Sequence, residues 1–433
     1  MAEFLNRQNA TSAAVLAVAA GAIFVGSIQA RPYSAVEVRG SEFIPASDIA
    51  AACEIVAGNY DASDMRAVQD CLMSSGQFRS VAVRGEGGTL VVEVSELNDR
   101  PGLVEAGLAY DSRDGATVNL YFERYNLFPG TFGSVDLRFS DEVKSFSTSL
   151  YRADAFGDFD FGIDTELRKT SYSDQGFTAK RVLIEPYLAL PFADGGRVEF
   201  GIGYRRDEMT DIAAGSSALF GREAGVVDAP YVRLGLGYST NPAQTGGTGF
   251  VTGLSLSLDQ YFWGLGTDWK TYETRIAADT RFALADRTSL LVGLRGGIVS
   301  AEGDNSTRAV DRFFVGGADF RGFAPRGLGP KDGDWFLGAN RYYVASVEVQ
   351  HEIDQVLGTT GRVGLFADIG SAWGLDDTLG GVIDDSRHIR SSVGVSMTLD
   401  LGNVPVSLFV AKPIDYQDGD DRQSFGISIN TSF

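Results

Sequence analysis

Among 433 residues, the side chains best placed for polar chemistry are one guanidinium and two carboxylates. Arg321 lies beside Gly322 and Phe323 in RFFVGGADFRGFAPRGLGP, residues 312–330, a stretch with neither helical nor strand periodicity. Glu348 follows in an alternating segment whose apolar set is Tyr343, Ala345, Val347 and Val349, so it falls on the opposite face, between Ser346 and Gln350. Asp368 takes the same position in Val363–Ile369, opposite Val363, Leu365, Ala367 and Ile369. A guanidinium fork pairs with carboxylates through charge-assisted hydrogen bonds, and a neighbouring glycine lets the backbones approach closely. That chemistry is anchoring. The spacing is equally met if both carboxylates line a wet interior and Arg321 is solvated.

Catalysis and metal binding find no footing. His351 falls on the outward register of its strand, His388 falls in a loop, and no nucleophile is paired with a base. No enzyme, cofactor or metal is expected.

The elements that must position these residues change grammar along the chain. Residues 1–30 carry Arg7, the apolar run Ala13–Val25 and a small residue at Ala30, which reads as a signal peptide. The alternative is an uncleaved anchor helix, although about 13 apolar residues are few for a bilayer. Residues 31–98 form a small α+β unit in the order strand, helix, helix, strand, strand. Ala35–Val38 is the first strand, Ile44–Cys53 the first helix, and a second helix starts at Asp61 or Ser63 and stops at Gly76. Val81–Arg84 and Thr89–Val94 are the last two strands. Cys53 and Cys71 fall within this unit. In an exported chain they form a disulfide, or else remain two buried thiols.

From residue 99 to 433, alternation with Gly and Asp turns persists. In Phe425–Phe433 the apolar face is Phe425, Ile427, Ile429, Thr431 and Phe433, and the other face is small and polar. Ser392–Leu401 repeats the pattern. No second element type is available to cover so many apolar faces, so a transmembrane barrel is favoured over a soluble sandwich. Strands near 342–353, 361–373, 389–401, 404–414 and 422–433, counted back from the end, put residues 301–340 on the outer side. About 330 residues at roughly 20 per strand and connection give 16 strands. The fold expected is thus mainly β, a 16-stranded antiparallel transmembrane barrel after one small α+β domain. With 57 acidic against 37 basic residues, nucleic acid is not a partner.

The run FFVGGADFRGF with GLGP and LGAN, followed by SVEV and GLFADIG, resembles the barrel of the BamA/TamA superfamily of outer-membrane assembly proteins. The family shares a VRGF/Y motif in its sixth outer loop and an F-x-D-x-G motif on a following strand. The preceding unit is similar to a POTRA domain through Val38-Arg39-Gly40, its two helices, Gly76-Gln77-Phe78 and Leu90–Val94. The resemblance implies that Arg321, Gly322 and Phe323 form a loop motif pinned in the lumen by Glu348 and Asp368. Phe320 replaces the usual valine, and Ala339 a common glycine. There is room for one POTRA-like domain, whereas BamA and TamA proteins carry several, which puts the usual lipoprotein partners in doubt.

The family's activity implies an insertase for outer-membrane proteins, or a pore that exports one dedicated substrate, as two-partner secretion pores of the wider family do. Its partners would be unfolded outer-membrane clients, outer-membrane lipid, and a periplasmic chaperone or accessory protein. The chain would reside in the bacterial outer membrane with the small domain in the periplasm. The implied working seam lies between the strand near Leu103–Tyr110 and the terminal strand, where Gly426 weakens pairing or is an ordinary lumen-facing glycine. Phe433 resembles the terminal aromatic of barrel clients, or serves as an interfacial anchor. The small domain would offer a strand edge, Val81–Val83 or Ala35–Val38, to clients, or act as a spacer.

Overall fold

The computed structural model describes residues 31–41, 44, 46–53, 55–74, 78–96, 102–111, 115–128, 130–192, 195–240, 251–356, 359–401 and 404–429. The expected signal peptide and Phe433 lie outside them, as do residues 402–403 between two expected strands. The chain divides into a unit ending at Asp99 and a second from Arg100 to Phe433.

The first unit runs β1 (Arg31–Tyr33), β2 (Ala35–Arg39), α1 (Ala46–Ala52), β3 (Gly58–Tyr60), α2 (Ala62–Ser74), β4 (Phe78–Glu86) and β5 (Thr89–Glu96). Helix α2 starts where it does because the Asp61 carboxylate accepts from the amides of Ser63 (2.6 Å) and Asp64 (3.0 Å). The Asp64 carboxylate accepts in return from the Asp61 amide at 2.9 Å. Val68 and Leu72 on its apolar stripe are buried with Ile49 of α1 against Phe78, Val81, Leu90, Val92 and Val94 of the sheet. That sheet has the order β2-β5-β4, with β5 parallel to β2 and antiparallel to β4, so both strands expected to offer an edge do lie at edges. Cys53 and Cys71 are bonded, their Cα atoms 6.1 Å apart, tying the end of α1 to α2. The β1–β3 ribbon was not legible as strands, because three-residue pairings carry no periodicity.

The second unit opens with β6 (Gly102–Asp111), β7 (Gly115–Phe128), β8 (Thr131–Phe139), β9 (Val143–Phe156) and β10 (Phe159–Tyr172). It continues with β11 (Phe177–Phe192), β12 (Gly196–Thr210), α3 (Ala218–Glu223), β13 (Gly225–Ser239), β14 (Val251–Trp263), β15 (Thr271–Ala285) and β16 (Thr288–Ala301). A long connection holds the two-residue strands β17 (Gly322–Phe323), β18 (Lys331–Asp332) and β19 (Trp335–Phe336). The wall resumes with β20 (Arg341–Val356), β21 (Thr359–Trp373), β22 (Arg390–Leu401) and β23 (Val404–Asp415), and closes with β24 (Arg422–Gln423) and β25 (Phe425–Ile429). The expected strand 422–433 is therefore broken at Ser424.

The wall is one antiparallel sheet of 16 strands in sequence order from β6 to β25. Among the described residues no ladder joins β25 to β6, although the two lie close to each other. Alternation places Leu234, Leu236, Val393, Val395, Phe425 and Ile427 on the exposed outer face, with Leu365 there at 67% exposure. So many exposed apolar side chains are stable only against lipid, and paired strands leave no amide unsatisfied there. No helix among the described residues is long and apolar enough to cross a membrane. Leu399 departs from the outward pattern and is buried.

The inner face is polar and densely paired. On one wall Arg233 reaches Glu185 (2.7 Å), Glu199 (2.7 Å) and Asp259 (3.0 Å), and the Tyr231 hydroxyl donates to Glu185 at 2.6 Å. The long connections gather at one end, where Phe177, Met209, Leu219, Phe220, Ala309, Leu337 and Ile383 pack into a cap.

Candidate functional site

The connection from β16 to β20 returns into the lumen instead of standing off the wall. Its aromatic residues dictate this: Phe320 and Phe323 are fully buried and meet edge to face at 4.8 Å, packed with Val315, Leu328, Val344 and Ala372. Phe313 packs on Tyr342 of β20, and Phe314 on Tyr172 of β10. A segment so apolar gains by filling the barrel.

Arg321 is carried down with them. Its Nε and Nη2 donate to the two oxygens of Asp368 at 2.9 and 2.8 Å, and its backbone amide donates to the same carboxylate at 3.2 Å. Nη1 pairs with Glu348, and Nη2 also donates to the Ser346 hydroxyl at 2.9 Å. The guanidinium lies flat on Phe366, with Cζ 3.4 Å from the ring centroid. Each carboxylate has further donors: Ser346 to Asp368 (2.7 Å), and Gln350 (2.8 Å) and Ser396 (2.5 Å) to Glu348. Buried charges are tolerated only when paired and hydrogen-bonded this fully.

The glycines make the geometry possible. Gly322 has φ +97°, and a Cβ there would lie 2.9 Å from the Cβ of Ser392, whose hydroxyl donates to the Arg321 carbonyl. A Cβ on Gly370 would meet Phe320 at 3.0 Å and the Tyr343 carbonyl at 2.5 Å. In the F-x-D-x-G segment, Phe366 thus stacks on the guanidinium, Asp368 grips it and Gly370 gives room to the loop.

The structure brings Arg321, Gly322, Phe323, Glu348 and Asp368 into one cluster near the middle of β20 and β21. Gly426 lies elsewhere, on the inner face of β25, directly opposite Phe409 of β23. His351 is exposed on β20, its Nδ1 2.9 Å from the Thr288 hydroxyl, and His388 lies outside the strands, 2.9 Å from Asp384. The arrangement offers binding and positioning.

Sequence reading missed several partners. Gly322–Phe323 forms an antiparallel ladder with Arg422–Gln423, extended by the Ala324 amide to the Asp421 carbonyl (2.9 Å) and the Asp421 amide to the Gly327 carbonyl (2.8 Å). Arg326 pairs with Glu142, and Arg390 forks onto Asp420. In the cap, Arg312 pairs with Glu223 of α3, and Arg205 with Asp311 at 2.7 Å. Burial pushes the Glu223 carboxyl above its ordinary value despite Arg312. Burial acts on Asp311 in the same direction, but Arg308 and Arg205 outweigh it and hold that carboxyl below its ordinary value.

Against this geometry the comparisons with known proteins are specific. A family profile described as the Omp85 superfamily domain matches residues 115–433. A search of curated protein sequences finds no match. Among solved structures, BamA from Haemophilus ducreyi lacking POTRA domains 1-3 is similar with a TM-score of 0.72 at 16% identity, over 92% of this chain and 84% of that one. CdiB from Acinetobacter baumannii is similar with a TM-score of 0.57 at 13% identity, over 93% and 74%. CdiB from Escherichia coli gives 0.50 at 12%, over 95% and 91%. At such identities the likeness is one of fold.

Proposed function

The chain belongs to the Omp85 superfamily, outer-membrane barrels that insert or secrete proteins, and on that premise we propose that it folds and inserts other barrel proteins through its own seam. The observation that carries this reading is the state of the wall. Fifteen neighbouring pairs of strands are laddered, while β6 and β25 face each other with no ladder between their described residues. An unfolded client strand in a membrane carries backbone groups that cost several kcal/mol each when unsatisfied. A pair of edges that can part satisfies them by strand addition, one client strand at a time. No catalytic side chain is needed.

In this reading Arg321, Glu348 and Asp368 hold the long loop inside the lumen, keeping the wall in shape while the seam works. The first unit acts as a periplasmic POTRA-like domain whose edge strands β2 and β4 receive clients before they reach the barrel. The Cys53–Cys71 bond suits that compartment. The partners are unfolded outer-membrane proteins, the surrounding lipid, and a periplasmic chaperone or accessory protein.

The second reading is a pore exporting one dedicated protein. A barrel of this fold also resembles the two CdiB structures, which keeps it in view. A loop anchored inside the lumen favours the first.

The deciding experiment is the outer-membrane proteome of cells depleted of the protein. A joint fall of many unrelated barrels supports insertion. Unchanged barrels with one exported protein accumulating in the periplasm would replace it with the dedicated pore.

A further inference from the structure

At four places among the described residues of the wall an aromatic ring is seated on the glycine directly opposite it in a strand pair: Tyr187 on Gly162, Tyr231 on Gly203, Phe366 on Gly394, Phe409 on Gly426. In each pair the ring lies over the glycine so closely that a Cβ would fall within 2.4 Å of a ring carbon. The glycine is a socket and the ring its plug, an arrangement that excludes any larger residue at the glycine. The first two joints lie well inside the strand order, away from the seam, and Tyr231 is further fixed by its hydrogen bond to Glu185. The last two are different.

Phe366 and Phe409 have no hydroxyl to make such a bond and are held by ring and apolar contacts. Phe366 is backed by the Arg321 guanidinium at 3.4 Å, and it meets Phe409 edge to face at 6.3 Å. Phe409 then fills the socket at Gly426 of β25. Phe366, Phe409 and Ala411 form a buried cluster of their own. One physical chain therefore runs from the loop anchor through two rings to the strand that borders the seam. A second connection runs in parallel, because Gly322–Phe323 is laddered to Arg422–Gln423, two residues ahead of β25.

We propose that Phe409 is a positioning residue for β25: seated over Gly426 and backed by Phe366 and Arg321, it couples the anchored loop to the edge strand and sets how readily that strand leaves the wall. The proposal deepens the insertion reading and rests on it only for the purpose that edge release serves. The coupling itself is a property of the fold. Filling the socket, removing the plug or removing its backing all act on the same strand.

Amide hydrogen exchange in full-length protein in lipid nanodiscs tests this, with Phe409→Ala, Phe409→Tyr, Gly426→Ala and Arg321→Ala variants checked for heat-modifiable migration. The expected result is at least tenfold faster exchange in Phe425–Ile429 for Phe409→Ala, with the β11–β12 ladder unchanged. Phe409→Tyr restores protection, because tyrosine already fills two sockets of this barrel. Gly426→Ala, which keeps the ring but blocks its seat, loosens the same five residues. Phe409→Ala combined with Arg321→Ala exchanges less than the product of the two single effects, because both act along one chain.

Unchanged exchange in β25 for both Phe409→Ala and Gly426→Ala overturns the proposal. So does loosening spread evenly over the wall, or Phe409→Tyr behaving as Phe409→Ala. Selective loosening of β25 with no change in client folding or export upholds the positioning role and removes the insertion reading instead.

Discussion

Replacing Arg321 by alanine leaves Asp368 and Glu348 facing each other in the lumen without the cation that both were built around. The Asp368 side chain is 1% exposed and Glu348 10%, so both carboxylates are buried around that cation. Breaking a buried pair by removing one partner costs about 3–5 kcal/mol, because the remaining charge stays desolvated. The stacking on Phe366 is lost as well. At about 1.4 kcal/mol per tenfold, the loop's docking equilibrium shifts by roughly two to three and a half orders of magnitude. Arg321→Lys keeps the charge but cannot grip Asp368 with a fork, and a lost charged hydrogen bond costs roughly 1.5–3 kcal/mol, so it falls between. Hydrogen exchange of the amides in residues 320–329 reads this directly, with the β12–β13 ladder as internal reference. Equal protection in wild type and Arg321→Ala would refute the argument that the buried pairs hold the loop.

Other consequences are as sharp. Gly322→Ala places a methyl 2.9 Å from Ser392 at φ +97°, and should destabilise loop docking by about 1–3 kcal/mol, read by protease nicking of the loop. Reducing the Cys53–Cys71 bond, which spans 18 residues, should lower the stability of the first unit by about 3 kcal/mol in urea, and a change below about 1 kcal/mol would contradict that. Acid should loosen the cap. The Asp311 carboxyl is held below its ordinary value, so its stabilisation is complete above the unfolded value near 3.8 and is lost as pH falls through the lower folded value. Glu223, pushed up by burial, works in the opposite sense. Asp311→Asn should therefore flatten the pH dependence of exchange at 307–313 below about pH 4.

The wall was largely legible because alternation and turn residues are local signals. The expected strands 361–373 and 389–401 appear as Thr359–Trp373 and Arg390–Leu401, and the total of 16 follows from length. Register also told which carboxylates face inward, since a period of two leaves no other face for Glu348 and Asp368. What escaped was set by distance along the chain. Arg205 and Asp311 are 106 positions apart, and neither has a pattern that names the other. The ladder between Gly322–Phe323 and Arg422–Gln423 is two residues long and carries no periodicity. Helix α3 is six residues, stabilised by its place in the cap and by Ser217 accepting from the Leu219 amide at 3.2 Å. Phe409 carries no local signal of its role, because that role depends on Gly426 across from it on β25.

The most direct test of the central claim is the rate at which an unfolded outer-membrane barrel protein, added to vesicles, acquires its protease-resistant folded form. Vesicles carrying this protein should fold it severalfold faster than empty ones, and vesicles carrying the Arg321→Ala form should lose most of that gain. No acceleration by the wild-type protein, with a secreted substrate passing through the same vesicles, would contradict insertion and identify a dedicated pore.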